Sequence, residues 1–328
     1  MALLFLGALS LAFGIAGGLA RLTPAIAVPP SALALHGPLM VSAFFGTVIS
    51  LERAVAIGRA WAYAAPLLAS LGGVLMLLGL AEAGFASLAL AAFAFVACSV
   101  AVMRRQPSLE TATLLAGAFA WLVGSLMLFA GQPAVPWWIA FFALTIGAER
   151  LELSRYLRRG PWVRRAFGLL AALTLLSPLA PPLLGVALTL LAAWLLAFDL
   201  ARVTVRQSGL ARYVAACLIA GYFWLGVGGA LIALSLAYDA ALHAVFVGFV
   251  LSMVFGHAPV IVPAVLRVRF PYTALLYVPL LVLHASLAVR VVFAREAGAW
   301  GNALAVVLFL VIAATVVARA DRRESLER

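Results

Sequence analysis

The sequence predicts an all-α polytopic membrane protein, a bundle of about twelve transmembrane helices with both termini cytoplasmic. Three observations carry that prediction. The chain is 66% hydrophobic and 10% charged, with a mean hydropathy of +1.17, a composition suited to lipid rather than to a soluble core. Apolar runs of about 18 to 25 residues, the length that crosses a hydrocarbon layer, recur along all 328 residues. The breaks between them are short and carry arginine, proline or glycine, so residues 1–328 read as a single integral-membrane helical domain.

In chain order the first span runs from Ala2 to Leu19; it lacks a basic leader and an A-x-A-like cleavage site and reads as a retained helix. The second, Leu35 to Ile57, follows the Pro29-Pro30 turn. Trp61 to Leu80, Phe85 to Val102 and Thr111 to Ala130 come next, each bounded by an arginine or a Pro/Gly break. Val135 to Ala148 and Phe167 to Leu179, the sixth and seventh, are shorter than a membrane needs. Leu183 to Leu200, Tyr213 to Ala237, Ala240 to Leu266, Thr273 to Phe293 and Trp300 to Ala318 complete the twelve.

Every basic residue is arginine, and their distribution sets the orientation. With the N-terminus inside, nineteen of the twenty-two fall on the cytoplasmic side: Arg53, Arg59, Arg104, Arg105, Arg150, Arg155, Arg158, Arg159, Arg164, Arg165, Arg202, Arg206, Arg212, Arg267, Arg269, Arg319, Arg322, Arg323 and Arg328. Only Arg21, Arg290 and Arg295 fall outside. Such a bias is the positive-inside pattern. It explains the net charge of +11 through anionic lipid, so the chain has a lipid bilayer and no nucleic acid as its partner. The localisation that follows is a multi-pass protein of the bacterial inner membrane.

The stretch from Glu149 to Arg165, ERLELSRYLRRGPWVRR, reads as an interfacial cytoplasmic helix. Cys98 and Cys217 share no CxxC or Cys-His spacing and read as packing residues. Gly14 with Gly18, and Gly221 through Gly229, offer small surfaces for close helix approach. The sequence has no glycine-rich phosphate loop, which argues against ATP hydrolysis.

The four histidines are the candidate chemistry, because an imidazole in hydrocarbon asks for a partner. His36 and His243 open the second and tenth spans at matching outer depth, and His284 lies between the midplane and the outer third of the eleventh. His257, fourteen residues after His243, lies about 21 Å deeper on the same helix face, just before Pro259 and Pro263, which are expected to loosen the helix. Glu52, Arg53, Glu149 and His257 share that inner depth and form a candidate polar gate, or else paired interfacial charges. Imidazole binds haem iron or copper, and a bundle core is a usual place for such a site. His36, His243 and His284 are therefore the candidate metal and cofactor ligands. Arg290, six residues after His284, is the nearest outer cation for a haem propionate, with Arg21 and Arg295 as further candidates; the alternative for all three is interfacial snorkelling. Met40 and Met253, each four residues from a histidine, offer a His-thioether set for Cu(I), or simply fill the core.

The second span, LHGPLMVSAFFGTVISLERA, and the tenth, LHAVFVGFVLSMVFGHAP, with FLGALSLAFGIAGGL ahead of them, resemble the NnrS family. Those are polytopic haem- and copper-associated membrane proteins linked to nitric oxide stress. HGPLM is also similar to the haem-copper oxidase helix that opens with His-Gly and supplies a low-spin haem ligand. The resemblance implies His36 as one axial ligand, His243 as the facing one, and His257 as the later histidine of the family's GH motif. The chain departs from these patterns in having no His-Glu-Met run after His36 and no vicinal histidine pair, so a binuclear oxygen-reducing site does not assemble from four histidines.

Together these features predict a membrane haem and/or copper protein acting in electron transfer or in nitric oxide and small-gas handling, with a redox partner or gas ligand. Whether it is an enzyme is open. The alternative is a proton-coupled secondary transporter using the intramembrane histidines with Glu52 and Glu149; a third reading is a cofactor-free scaffold subunit.

Overall fold

A computed structural model describes residues 2–155, 157 and 159–327, with side chains through residue 320. Arg158, Arg328 and the side chains of Arg322 and Arg323, all expected inside, lie outside that description. The protein is 84% helical, with no strand among the described residues. Its helices are α1 (Ala2–Ala20), α2 (Pro30–Ala34), α3 (His36–Ile57), α4 (Ala60–Leu77), α5 (Ala81–Arg105), α6 (Leu109–Phe129), α7 (Val135–Ser154), α8 (Pro161–Leu176), α9 (Pro181–Phe198), α10 (Ala201–Thr204), α11 (Gly209–Ala233), α12 (Tyr238–Leu266), α13 (Ala274–Val292) and α14 (Arg295–Glu327). Ten of these, namely α1, α3 to α6, α9 and α11 to α14, are long and apolar enough to cross a membrane.

The remaining two expected spans are helices of a different kind. Helix α7 is about 30 Å long, but its last turns carry Glu149, Arg150 and Glu152, and its middle from Trp138 to Leu144 is almost wholly inaccessible. Helix α8 has 16 residues and starts on Pro161, a position that tolerates the missing N–H. Among the described residues, the stretch from Glu149 to Arg165, expected as an interfacial helix, is divided between two helices, with Tyr156 and Arg158 outside the description. Its first residues end α7 and its last begin α8, because the apolar runs on either side extend helically into the charged segment.

The chain divides into two compact units, residues 1–149 with 174–179, and residues 150–173 with 180–328. In the first, α1 packs on α3 and α4, α4 on α5, and α5 on α6. Its core is aromatic. Trp121 stacks on Phe141 with centroids 5.4 Å apart, Phe95 meets Trp121 edge-on at 5.5 Å, and Phe45 meets Phe142 edge-on at 5.4 Å, arrangements that ring quadrupoles favour. The Trp121 indole N–H donates to Ser42 Oγ at 2.8 Å, which satisfies both buried groups. Helix α6 starts on a reciprocal cap: Ser108 Oγ accepts from the Thr111 N–H at 3.2 Å, and the Ser108 N–H donates to Thr111 Oγ1 at 3.1 Å.

In the second unit α9 packs along α11, α11 along α12, and α13 along α14. Phe255 and Phe309 stack face to face at 4.2 Å. The α9–α11 contact is backbone on backbone: a Cβ on Gly185 would run into the Ala233 N–H and lie 2.6 Å from the Gly229 carbonyl oxygen. Gly185→Ala is therefore expected to cost about 3 kcal/mol through overpacking. Gly226→Ala, whose added Cβ would rest 3.6 Å from Ala192, is expected to be close to neutral, and thermal unfolding of the two purified variants compares them.

Two of the three histidine-bearing spans, α3 and α12, share one plan. Helix α3 opens on His36 and turns into a π-helix over Leu39–Phe45; α12 reaches His243 and turns into a π-helix over Ala244–Leu251. Each is followed by a helix that starts with a 3₁₀ turn, Ala60–Tyr63 in α4 and Ala274–Leu276 in α13. The wider π geometry occurs mostly in short insertions at functional positions. Pro259 and Pro263, expected to loosen α12, lie inside its α-helical part, where their missing N–H groups leave the Phe255 and Pro259 carbonyls without an i+4 donor. The α-helix runs through both prolines from Ser252 to Leu266 and ends where Arg267 adopts a left-handed conformation, φ 56°.

Candidate functional site

Each histidine is held by a bond that also fixes its tautomer. His36 Nδ1 lies 2.5 Å from the carbonyl oxygen of Gly14. A carbonyl only accepts, so Nδ1 carries a proton, and in the neutral ring Nε2 holds the lone pair. The ring fits because α1 offers no side chain there: a Cβ on Gly18 would sit 2.7 Å from His36 Cε1, and one on Gly14 would sit 2.8 Å from Met40. Arg21 fixes the segment just before the histidine, donating from Nε to the Leu33 carbonyl and from Nη2 to the Ala34 carbonyl, both at 2.8 Å. Arg21, a candidate for a propionate, is thus engaged on backbone carbonyls.

His243 donates from Nδ1 to the backbone carbonyl of Asp239 at 2.7 Å, and Asp239 Oδ1 lies 3.5 Å from the same nitrogen. The carboxylate is gripped by Arg290, whose Nη2 reaches Oδ1 at 3.3 Å and Oδ2 at 3.2 Å. The Arg290 side chain is only 8% exposed, and its Nε meets no acceptor among the described residues. Arg290, read from the sequence as a propionate partner or an interfacial cation, is paired with a protein carboxylate. Asp239 was missed, although its position four residues before His243 placed both on one helix face. His257 follows the same pattern, with Nδ1 donating to the Met253 carbonyl at 2.8 Å.

His284 differs from the other three. The Trp224 indole N–H donates to its Nδ1 at 3.0 Å, which assigns the ring proton to Nε2; that nitrogen lies 3.2 Å from Ser252 Oγ, whose own proton goes to the Cys217 carbonyl at 2.8 Å. Every member of this relay is satisfied, and the imidazole has no lone pair to offer an ion while both bonds stand.

His36 belongs to the first unit, and His243, His257 and His284 to the second, where His243 and His284 sit in separate hydrogen-bond networks. Among the described residues, no group of three or more His, Cys, Asp or Glu side chains is gathered as a metal ion would need. Met40 packs on Gly14 in α1, and the Met253 methyl lies against Gly221, where a Cβ would be 2.6 Å away.

Of the candidate inner polar group, Arg53 and Glu149 form an ion pair. Arg53 Nη2 lies 3.8 Å from Glu149 Oε1 in the first unit, with Glu52 half-buried beside Arg53 on α3; His257 belongs to the other unit and bonds its own helix. The more deeply buried pair is one that sequence reading overlooked. Arg150, expected to face the cytoplasm, donates from Nε to Asp199 Oδ2 at 2.9 Å and from Nη2 to Oδ1 at 3.1 Å, with side-chain exposures of 5% and 0%. Asp199 also accepts from the Ala201 N–H at 2.7 Å, which fixes the turn into α10.

A family model described as Domain of unknown function (DUF8744) matches residues 1–318. The chain belongs to the DUF8744 family. No curated protein and no solved structure matches it. The DUF8744 match covers all four histidines and both π-helical spans, and it brings no named relative to the NnrS-like or oxidase-like resemblance.

Proposed function

We propose that this DUF8744 protein is a bacterial inner-membrane haem protein of NnrS-like descent, with twelve spans and cytoplasmic termini, that takes part in electron transfer or in handling a small gas such as nitric oxide. The observation that carries the reading is the shared state of His36 and His243. Each sits at the mouth of a π-helical segment, and each spends its Nδ1 proton on a backbone carbonyl. That leaves Nε2 as the basic nitrogen, the arrangement metal-binding imidazoles use to fix ring and tautomer. The donor set suits iron in a macrocycle, which asks the protein for one or two imidazoles, better than copper, which asks for three donors. His36 and His243 are the proposed ligands, and the Gly14/Gly18 surface and the Asp239 carbonyl hold their rings. Haem bound there would supply one-electron or diatomic-gas chemistry; Asp239 and Arg290 orient His243, and His284 is a structural partner of Trp224 and Ser252.

Haem content per chain, measured by pyridine haemochrome on protein purified from haem-supplied membranes, tests this reading. Stoichiometric haem supports it, and a colourless preparation contradicts it. The proton-coupled transporter is the second reading. The buried Arg150–Asp199 pair favours it, since ionisable groups inside an apolar bundle often mark proton or ion paths. A colourless protein that carries protons into vesicles, and stops doing so in Glu149→Gln, would establish it.

A further inference from the structure

The second unit carries an open-sided cavity of about 420 Å³ that the histidine chemistry does not use. One wall is a single face of α11, with Ala216, Ala220, Phe223 and Trp224; Val205 closes one end and His284 of α13 lies at the other. From Ala216 to Trp224 the wall runs about 12 Å along the helix, within the roughly 15 Å depth of one leaflet's hydrocarbon. No charged residue lines it. The polar atoms of its two candidate donors are taken, because the Trp224 N–H goes to His284 and the His284 ring is bonded to Trp224 and Ser252. The lining therefore offers carbon, and Phe223, 58% exposed, offers a ring face beside it. A ligand whose binding depends on polar groups would leave them unpaired here.

The Val205 end has the opposite character. Arg202 and Arg206 flank Val205 in sequence, Arg212 opens α11 just beyond, and all three are exposed. Residues 200–238 contain no acidic residue, and Asp199 before them is sealed under Arg150. Arg202 and Arg212 each spend one N–H on a nearby carbonyl, of Ala197 and Gln207, which holds their guanidinium groups beside the ends of α9 and α11.

We infer that this cavity is a binding site for an anionic phospholipid, with one acyl chain lying along α11 as far as Trp224 and His284, and the phosphate headgroup at Arg202, Arg206 and Arg212. An apolar slot of leaflet depth, lined at one end by Val205, with exposed Arg202, Arg206 and Arg212 close to it in sequence, matches that amphiphile. The inference rests on the bilayer placement and is independent of whether haem is bound. By covering the lipid-facing side of the Trp224–His284–Ser252 relay, the chain keeps water and competing donors away from it.

The test uses the full chain purified in detergent micelles and titrated with phosphatidylglycerol or phosphatidylcholine, each brominated on the acyl chain. The quenching assigned to Trp224 is the difference between wild type and Trp224→Phe, since the protein has eight tryptophans. Brominated phosphatidylglycerol is expected to quench that component at roughly tenfold lower mole fraction than phosphatidylcholine, the scale set by a few interfacial arginines. The triple variant Arg202→Gln/Arg206→Gln/Arg212→Gln is expected to remove the difference between the lipids. Ala220→Phe, which fills the groove, is expected to remove quenching by both. Equal quenching by both lipids in the wild type, or quenching that survives Ala220→Phe, would overturn the site. Recovery of the chain in the soluble fraction would instead remove the bilayer placement and the site with it.

Discussion

Asp199→Ala is expected to destabilise the protein by about 3–5 kcal/mol, the scale for removing one partner of a buried ion pair. Arg150 is 5% exposed and Asp199 fully enclosed, so without the carboxylate a guanidinium stays in an apolar interior with two N–H donors unmet. The Ala201 N–H loses its acceptor as well, which adds about 1 kcal/mol. Removing both charges has a different result. Arg150→Met/Asp199→Leu fills the space with hydrocarbon and is expected to recover most of the loss, leaving chiefly the Ala201 deficit. Unfolding of the purified single and double variants in mixed micelles reads the contrast. A double variant as unstable as Asp199→Ala would show that the pair contributes net stability that packing cannot replace.

Asp239 and Arg290 are expected to respond unequally, because their burial is unequal. The Arg290 side chain is 8% exposed and that of Asp239 is 38% exposed. Asp239→Ala strands a buried cation that already has an unpartnered Nε and is expected to cost about 2–3 kcal/mol. Arg290→Met leaves a carboxylate that water reaches, and is expected to cost about 1 kcal/mol. The His243 bond is to the Asp239 backbone carbonyl, so both variants retain it. Equal losses in thermal midpoint would contradict the account of Arg290 as the buried partner.

Much of the architecture was legible because a membrane span announces itself by length and apolarity. All ten helices long enough to cross coincide with predicted spans, with boundaries displaced by a few residues where capping residues or left-handed glycines decide the end. Gly79, at φ +83°, closes the turn after α4 earlier than its apolar run suggested. Helices α7 and α8 were the exceptions; in α7, Glu149, Arg150 and Glu152 shorten the apolar run without shortening the helix. The π-helical segments were not legible. Pro38 precedes one and nothing comparable precedes the other, while the prolines that looked disruptive, Pro259 and Pro263, sit in continuous α-helix.

At the site, spacing explained what lay on one helix and nothing across helices. The bonds from His243 to Asp239 and from His257 to Met253 are four-residue contacts, visible in principle from periodicity. His36 on Gly14 and His284 between Trp224 and Ser252 join different helices, and only tertiary packing brings them together. Asp199 had a weak signal: it is one of eleven acids in a chain with twenty-two arginines, standing at the end of an apolar span.

The proposal that His36 and His243 are each a haem ligand through Nε2 is tested most directly by the visible absorption spectrum of the purified protein and its histidine variants. The account predicts a Soret band in the wild type, lost or shifted in His36→Ala and in His243→Ala, and retained in His257→Ala and His284→Ala. A wild type without a Soret band, or a band that depends on His284 and not on His36 or His243, would contradict it.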